Sequence, residues 1–276
     1  MTKFTKIIQL SDTHIVREGT LAYGVVDTAK YLEQAVRAIN ERLENMGPID
    51  GLVISGDLTD FGTPEEYERF QRLIEPLTFP TVVMPGNHDD REAMRGAFQF
   101  ENQSGPLNTH RIIGPVHVLA LDSLVTSKPH GFLTNETLAW LKQKLAGINN
   151  EPIMVALHHP PFDTGIEHMD CQRLRNSEEL LDILNNHKGA KQIVCGHVHR
   201  HITSFDNRCP AIIAPSPAHA VALDHRKNGP SDFTMEPGGV LLHTCSNDDI
   251  CGGMGYRFRS EFVPLGTFDG PYSFGL

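Results

Sequence analysis

The amino-acid sequence predicts a layered α/β fold, and two observations support this prediction. Short apolar runs alternate with amphipathic segments through the first two-thirds of the chain, which is the pattern of sheets covered by helices. Several of the apolar runs end directly in Asp, Asn or His residues. Because sites in open α/β sheets form beyond the carboxyl ends of the strands, we expect a functional site at that edge.

Each predicted strand is a short apolar run. The six runs are Ile7–Leu10, Leu52–Ile54, Val82–Met84, Val116–Leu121, Ile153–Leu157 and Gln192–Cys195.

Four segments between the strands predict helices. In the first, apolar residues recur at helical spacing and form one face, namely Leu32, Ala35, Val36, Ile39 and Leu43. The second, TPEEYERFQRLI, has Thr63 as its N-cap, Pro64 at its first position and Glu66 to complete a capping box. The other two are predicted from Asn135 to Leu145 and from Ser177 to Asn186.

The length of 276 residues suits one large α/β domain or a domain with a small appendage. After about Ile202 the sequence becomes rich in Pro and Gly. We therefore predict a catalytic core over residues 1–205. Residues 206–276 are predicted to supply returning strands and a loop-rich cap or oligomer interface of the same domain.

Composition excludes some classes of function. A formal net charge of −10 argues against a nucleic-acid-binding surface, although it permits a small anionic substrate if cations are bound. No stretch approaches the ~20 apolar residues of a membrane span, and the start lacks the features of a signal peptide, so we predict a cytoplasmic protein. The five cysteines contain no CxxC pair and are expected to be free thiols, with a Cys245–Cys251 bridge as the alternative.

Five of the predicted strands are followed by residues able to bind metals. These residues are Asp12 and His14, Asp57, Asn87 and His88, His158 and His159, and His197, His199 and His201. Gly56, Gly86 and Gly196 each precede one of them, which allows sharp turns and close approach of the backbone.

This inventory exceeds what one metal ion can use, but two ions can share it. Mixed imidazole and carboxylate ligands suit Zn, Fe, Mn or Co better than Ca or Mg. Two ions that act together on a phosphate lie ~3.5–4 Å apart, which requires a shared ligand. Asp57 is the candidate for that shared ligand.

The blocks DTH, GDLTD, GNHDD, HHPP and GHVHRH, in this order, resemble those of the calcineurin-like metallophosphoesterase superfamily. The stretch REGTLAYGVVD further resembles bacterial class III cyclic-nucleotide phosphodiesterases and the related glycerophosphodiesterases. The resemblance implies an αββα sandwich and a phosphodiesterase with two divalent metal ions. It implies that a metal-activated hydroxide attacks the phosphorus of a small diester, either a 3′,5′-cyclic nucleotide such as cyclic AMP or a glycerophosphodiester.

The resemblance also implies a role for each matching residue. One metal would be held by Asp12, His14, Asp57 and His199, and the other by Asp57, Asn87, His158 and His197. His88 would act on the substrate, either by stabilising charge on phosphorus or by protonating the leaving oxygen.

Other interpretations remain open for several residues. His159 is either a packing or supporting residue or a ligand, and His201 is either a substrate contact or a surface residue. Asp89 either supports a ligand or His88 or caps a helix, whereas Asp90 is predicted to cap. His219, His225 and His243 are predicted to be structural or exposed, and Tyr23, Arg17 and Phe132 are weaker candidates for the pocket wall.

Two alternative functions remain, a phosphomonoesterase or protein phosphatase on the same scaffold and a non-catalytic interaction module. We expect no nucleic-acid or membrane partner, and assembly into a homo-oligomer through the C-terminal region.

Overall fold

Two β-sheets lie face to face between two layers of helices in the computed structural model. The structure describes residues 4–100, 102–205, 207–247 and 255–275. The strands are β1 (Phe4–Leu10), β2 (Gly51–Ile54), β3 (Thr81–Val83), β4 (Thr109–Ile113), β5 (Val116–Leu121), β6 (Ile153–Leu157), β7 (Lys191–Cys195), β8 (Ile202–Ser204), β9 (Ala211–Ile213), β10 (Ala220–Val221), β11 (Phe233–Thr234), β12 (Gly239–Asn247) and β13 (Tyr256–Pro264).

Four of the described helices begin with side-chain caps, made by Asp27, Thr63, Asp90 and Thr134. The helices are α1 (Thr28–Met46), α2 (Pro64–Ile74), α3 (Arg91–Ala97), α4 (Asn135–Ala146), α5 (Glu167–Asp170) and α6 (Ser177–Asn185). The predicted capping box of α2 is present, with Thr63 and Glu66 exchanging hydrogen bonds. Asp90 caps α3 as predicted, because its carboxylate accepts a hydrogen bond from the backbone N–H of Ala93.

The strand order joins distant parts of the chain. Among the described residues, the first sheet runs β13-β12-β1-β2-β3 and the second runs β4-β5-β6-β7-β9-β8. The predicted strands all occur, within one residue of their predicted ends except that β1 begins three residues earlier than predicted, and the mixed α/β prediction is confirmed. β12 pairs antiparallel with β1, so residues far beyond 205 lie in the same sheet as the N-terminal strand.

Apolar side chains fill three layers. The alternation of side chains along β1 and β2 sends Ile8 and Leu52 toward the helices α1 and α2, and Ile7 and Val53 toward the other sheet. The second sheet buries its outer face against α4 and α6. The result is the αββα sandwich that the family resemblance implies.

A strip of polar residues interrupts the apolar layer between the sheets. Gln9, Gln192 and His243 are at most 2% exposed and are joined by hydrogen bonds. Burial lowers the pKa of His243 to about 3, so this imidazole is neutral at physiological pH.

Some sequence predictions concern residues for which the structure gives partial information. Cys171, Cys195 and Cys245 carry free thiols. The alternative bridge between Cys245 and Cys251 involves a residue outside the described part of the chain. Within that part, no helix is both long and apolar enough to cross a bilayer.

Acid is expected to destabilise the metal-free protein, partly through His243. Its pKa is about 3 when folded and 6.5 in a free side chain, so between these values the unfolded chain holds the extra proton. The free energy of unfolding therefore falls as the pH falls through this window. His243→Gln should reduce the slope by about 1.4 kcal/mol per pH unit between about pH 5 and pH 6. Urea unfolding of both proteins measures this difference, and equal slopes would contradict it.

Candidate metal centre

The side chains that follow five strands meet at one edge of the sandwich. In the first sheet, β1 leads to Asp12 and His14, β2 leads to Asp57, and β3 leads to Asn87 and His88. In the second sheet, β6 leads to His158, and β7 leads to His197 and His199. The structure thus brings together all eight residues to which the family resemblance assigns metal binding or catalysis. The two sheets contribute to the site from opposite sides.

Several of these residues have backbones in the left-handed region. The φ angles are 55° at Asp12, 44° at His14, 48° at Asp57, 74° at His197 and 56° at His199. Non-glycine residues rarely adopt this conformation, and it concentrates at functional sites where the surrounding structure enforces it. The turns that present the side chains are therefore made by the candidate ligands themselves.

Glycines next to the site allow close approach of neighbouring groups. A Cβ atom at Gly86 would lie 2.1 Å from Oδ1 of Asp57, and one at Gly196 would lie 2.6 Å from Oδ2 of Asp12. Any other residue at either position would displace a candidate ligand, so close approach explains these two glycines.

The first donor group combines two imidazoles and two carboxylates. Nε2 of His14 lies 3.2 Å from Nε2 of His199 and 3.5 Å from Oδ2 of Asp57. Nε2 of His199 lies 3.4 Å from Oδ1 of Asp12. All four residues are buried, and their donor atoms lie within 4.8 Å of one another.

The second donor group lies on the other side of Asp57. Nε2 of His158 is 3.2 Å from Oδ2 of Asp57 and 3.2 Å from Oδ1 of Asn87. The ring of His197 lies 5.1 Å from that of His158, measured between centroids. The same oxygen of Asp57 therefore faces imidazoles of both groups.

These distances and the unpartnered atoms fit divalent cations. Tetrahedral ligands at about 2.1 Å from a zinc-like ion lie about 3.4 Å apart, close to the donor separations observed. Oδ2 of Asp12 and Nε2 of His197 are buried without a hydrogen-bond partner. Burying such atoms is costly unless a partner compensates them, so the donor set fits a metal centre.

Burial and the charges within the cluster shift the pKa values of its members in different directions. Burial raises the pKa of Asp12 to about 6. Burial acts in the same direction on Asp57, but His158 and the other imidazoles outweigh it and hold the pKa of Asp57 well below its usual range. Burial would lower the pKa of His158, yet the Asp57 carboxylate raises it to about 9. At His197, burial and the neighbouring His158 outweigh the Asp57 charge and lower the pKa to about 3. Asp57 and His158 thus form an ion pair in the metal-free protein.

Asp60 supports the first group and was missed by the sequence analysis. Its carboxylate lies 3.0 Å from Nδ1 of His14, an arrangement that orients an imidazole whose other nitrogen is a ligand. Nδ1 of His88 donates to the backbone carbonyl of Asp60 at 3.0 Å. The signal was present in the block GDLTD, where Asp60 follows Asp57 by three residues.

Asp89 joins the turns rather than capping a helix. Its carboxylate accepts hydrogen bonds from the backbone N–H groups of Gly86 and Leu58 and from the hydroxyl of Tyr67. It therefore holds the turn that carries Asn87 and His88 against the segment that follows Asp57.

The other candidates divide between the site and the rest of the molecule. His159 is fully buried, with Nδ1 2.8 Å from the Ser123 hydroxyl. His201 is exposed and stacks on Phe262. Arg17 is exposed, and neither it nor Phe132 lines the cavity at the site.

His219 requires a correction, because it lies at the site. It is 3% exposed, and its ring centroid is 4.5 Å from that of His199. Together with Tyr23 and Phe233 it forms an aromatic wall, with the rings 5.2 to 5.3 Å apart. This wall, which includes Tyr23 as the sequence suggested, borders a cavity of about 330 Å³ that opens over His14, Asp57, Asn87 and His88.

Comparisons with known proteins find relatives that match most of the chain. Residues 5–201 match the family described as calcineurin-like phosphoesterase. A probable glycerophosphodiester phosphodiesterase, GpdQ, of Arcobacter nitrofigilis is 38% identical over 97% of this chain and 96% of its own length. The 3′,5′-cyclic adenosine monophosphate phosphodiesterase CpdA of Pseudomonas aeruginosa is 32% identical over 83% of this chain and 80% of its own length.

Solved structures resemble the fold at low sequence identity. The match to a dimetal phosphatase from Danio rerio covers 95% of this chain and 99% of the phosphatase chain, with a TM-score of 0.62 and 12% identity. The match to a purple acid phosphatase from yellow lupin covers 93% of this chain and 54% of the phosphatase chain, with a TM-score of 0.66 and 12% identity.

Metal titration distinguishes the shared residue from one that serves a single group. We expect the metal-free protein to bind two Mn²⁺ ions in isothermal titration calorimetry. Asn87→Ala should retain one site, whereas Asp57→Ala should lose both or bind at least ~10-fold more weakly at each, because Asp57 faces both groups. Asp163→Asn, at an exposed position, is the control and should bind like the unmodified protein. Retention of one unperturbed site in Asp57→Ala would contradict the shared role.

Proposed function

Because the chain belongs to the calcineurin-like phosphoesterase family, we propose that it is a metal-dependent phosphodiesterase with two divalent ions. Its substrates are small phosphodiesters, namely 3′,5′-cyclic nucleotides, glycerophosphodiesters or both. The relatives named GpdQ and CpdA support these two substrate classes. The observation that carries the proposal is Oδ2 of Asp57, which lies 3.5 Å from His14 and 3.2 Å from His158.

We assign the ligands by the two donor groups. Asp12, His14, Asp57 and His199 would hold one ion, and Asp57, Asn87, His158 and His197 the other. Bound divalent cations would neutralise phosphoryl charge and lower the pKa of a water molecule toward neutrality. The ligand types suit Fe, Mn, Zn or Co.

We assign His88 the role of moving a proton at the leaving oxygen. Its Nδ1–H donates to the Asp60 carbonyl, which fixes the tautomer and leaves Nε2 as the nitrogen that can exchange a proton. Its backbone N–H donates to Oδ1 of Asp57 at 2.9 Å, which ties its position to the shared carboxylate. The side chain is about one-third exposed and lines the cavity, so a substrate can reach it.

The charge of the cavity favours diesters over monoesters. Among the described residues that line it there is no Lys or Arg. Arg91 is occupied by a bidentate ion pair with Asp122, and Arg200 by an ion pair with Glu236. A monoester carries one more negative charge than a diester and needs more cationic stabilisation than this wall supplies.

We also propose that the protein assembles as a homo-oligomer through its C-terminal residues. Large apolar side chains are exposed there, with Phe268 56% and Tyr272 78% accessible. Covering exposed large apolar side chains with a second copy removes apolar surface from water, which favours association. Light scattering of the pure protein tests this proposal, and a monomeric mass would reject it.

Removal of the His88 imidazole should slow catalysis without removing the metals. We expect His88→Ala to lower kcat on bis(p-nitrophenyl) phosphate by ~10²–10⁴-fold, the usual contribution of a general acid or base. Metal content measured by atomic emission should stay the same. His201→Ala, at an exposed histidine that stacks on Phe262, is the matched control and should keep full activity. Equal activity of the two variants would refute the assigned role.

The substrate class is resolved by kcat/KM for cyclic AMP and glycerophosphocholine with Mn-loaded protein. A preference of more than ~100-fold corresponds to about 2.7 kcal/mol in transition-state binding and would assign one class. Comparable values would establish both. Hydrolysis of p-nitrophenyl phosphate but of neither diester would replace the proposal by the phosphomonoesterase alternative.

A further inference from the structure

Gln9 contacts segments of both sheets that lead to candidate metal ligands. Its side chain is fully buried between the sheets. Nε2 donates to the hydroxyl of Ser55 at 2.7 Å and to the carbonyl of Cys195 at 2.8 Å. Ser55 lies two residues before Asp57, and Cys195 lies two residues before His197. A single amide group therefore connects the two ligand-bearing turns across the interface between the sheets.

The orientation of this amide is fixed by its neighbours. A carbonyl oxygen can only accept, so Nε2 must face Cys195 and Oε1 must face His243. Nε2 of His243 then has to donate to Oε1, at 3.0 Å. Nδ1 of His243 has one lone pair and accepts from the hydroxyl of Ser260 at 2.7 Å. Nε2 of Gln192 lies 3.3 Å from the same nitrogen. Each hydrogen-bonding position of the Gln9–His243 pair is thus assigned.

Ser55 extends these contacts to the donor groups. Its hydroxyl donates to that of Ser11, which precedes Asp12, at 2.7 Å. Its carbonyl lies 2.8 Å from Nδ1 of His158 and orients that ring. Hydrogen bonds thus run from Gln9 to residues adjoining Asp12 in the first sheet and to His158 in the second.

The metal centre needs such a connection because the sheets supply its two halves. The donor atoms of His158 and Asp57 come from different sheets and lie 3.2 Å apart. Most other side chains between the sheets are apolar, and contacts between apolar side chains are not directional and allow small sliding movements. The other directional bonds across this interface, such as that from the His197 N–H to Oδ1 of Asp12, are made by the ligand-bearing turns themselves. Metal–ligand distances can vary by only a few tenths of an ångström. Directional hydrogen bonds at this interface would therefore help to hold the donor atoms of the two sheets at the right separation.

We propose that Gln9, held in one orientation by His243, is a positioning residue that sets the separation of the two ligand-bearing sheet edges and thereby the affinity for the pair of ions. This inference rests on the proposed metal centre. Gln9 touches neither the substrate cavity nor a donor atom, so it acts through Ser55 and Cys195.

The test compares two buried glutamines of the same interface. Gln9→Met keeps the side-chain length and removes both donated bonds, while the Cys195 carbonyl keeps its bond from the Ala214 N–H. Gln192→Met is the matched control, because Gln192 is 2% exposed and bonds to His243 and Ser260 but contacts no ligand-bearing turn. Mn²⁺ affinity is measured by calorimetry, and the magnetic coupling of the two ions by electron paramagnetic resonance.

We expect Gln9→Met to weaken binding of the ion pair by ~10–100-fold, the usual effect of losing a group that orients metal ligands, and to change the coupling signal. Gln192→Met should bind within about twofold of the unmodified protein, even if both variants lose similar thermal stability. Equal affinities in the two variants would reject the inference. Failure of the unmodified protein to bind two ions would instead reject the proposed metal centre.

A further pair of variants keeps the test decisive if Gln9→Met does not fold. His243→Phe removes the donor that fixes the amide, and His243→Gln restores an N–H donor. We expect the affinity loss in His243→Phe and its recovery in His243→Gln. Unchanged affinity in a folded His243→Phe protein would overturn the role assigned to the pair.

Discussion

The contact between His158 and Asp57 is the interaction on which the rest of the structure depends. It joins a side chain of the second sheet to one of the first at 3.2 Å, in the interior of the protein. A buried charge pair is tolerated only when its geometry is good and its remaining atoms are satisfied. Here the other nitrogen of His158 binds the Ser55 carbonyl, and the other oxygen of Asp57 accepts from the His88 backbone.

The need to hold His158 and Asp57 in this geometry accounts for the strained turns around the centre. Asp12, Asp57 and His197 have left-handed backbones, a conformation that costs about 1–3 kcal/mol at a non-glycine residue. Metal ions that bind the folded state and not the unfolded state would offset this cost by mass action. Before metal ions bind, the apolar layers packed against both faces of each sheet hold the turns in place. The site is thus a region of low intrinsic stability supported by a rigid scaffold.

Much of the fold could be predicted from the sequence because its signals are local. The strand Ile153–Leu157 and the capping box at Thr63 each depend on residues within a few positions. The donor residues could be predicted for the same reason, since each follows a strand directly. His219 could not, because no neighbour in the sequence marks it and the fold alone brings it to His199. The pairing of Gln9 with His243 spans 234 residues and has no local signal at all.

The position of β12 has a consequence for synthesis of the protein. All the proposed ligands lie before residue 201, yet the strand that covers the outer edge of β1 is formed by residues 239–247. On the ribosome, a nascent chain would carry the full set of donor residues while the edge of β1 was still unpaired and exposed to other strands. Closure of that edge by β12 also delivers His243 to Gln9. Maturation of the centre is therefore coupled to a strand that is synthesised after all of its proposed ligands, and we expect ions to be retained only once β12 has been made.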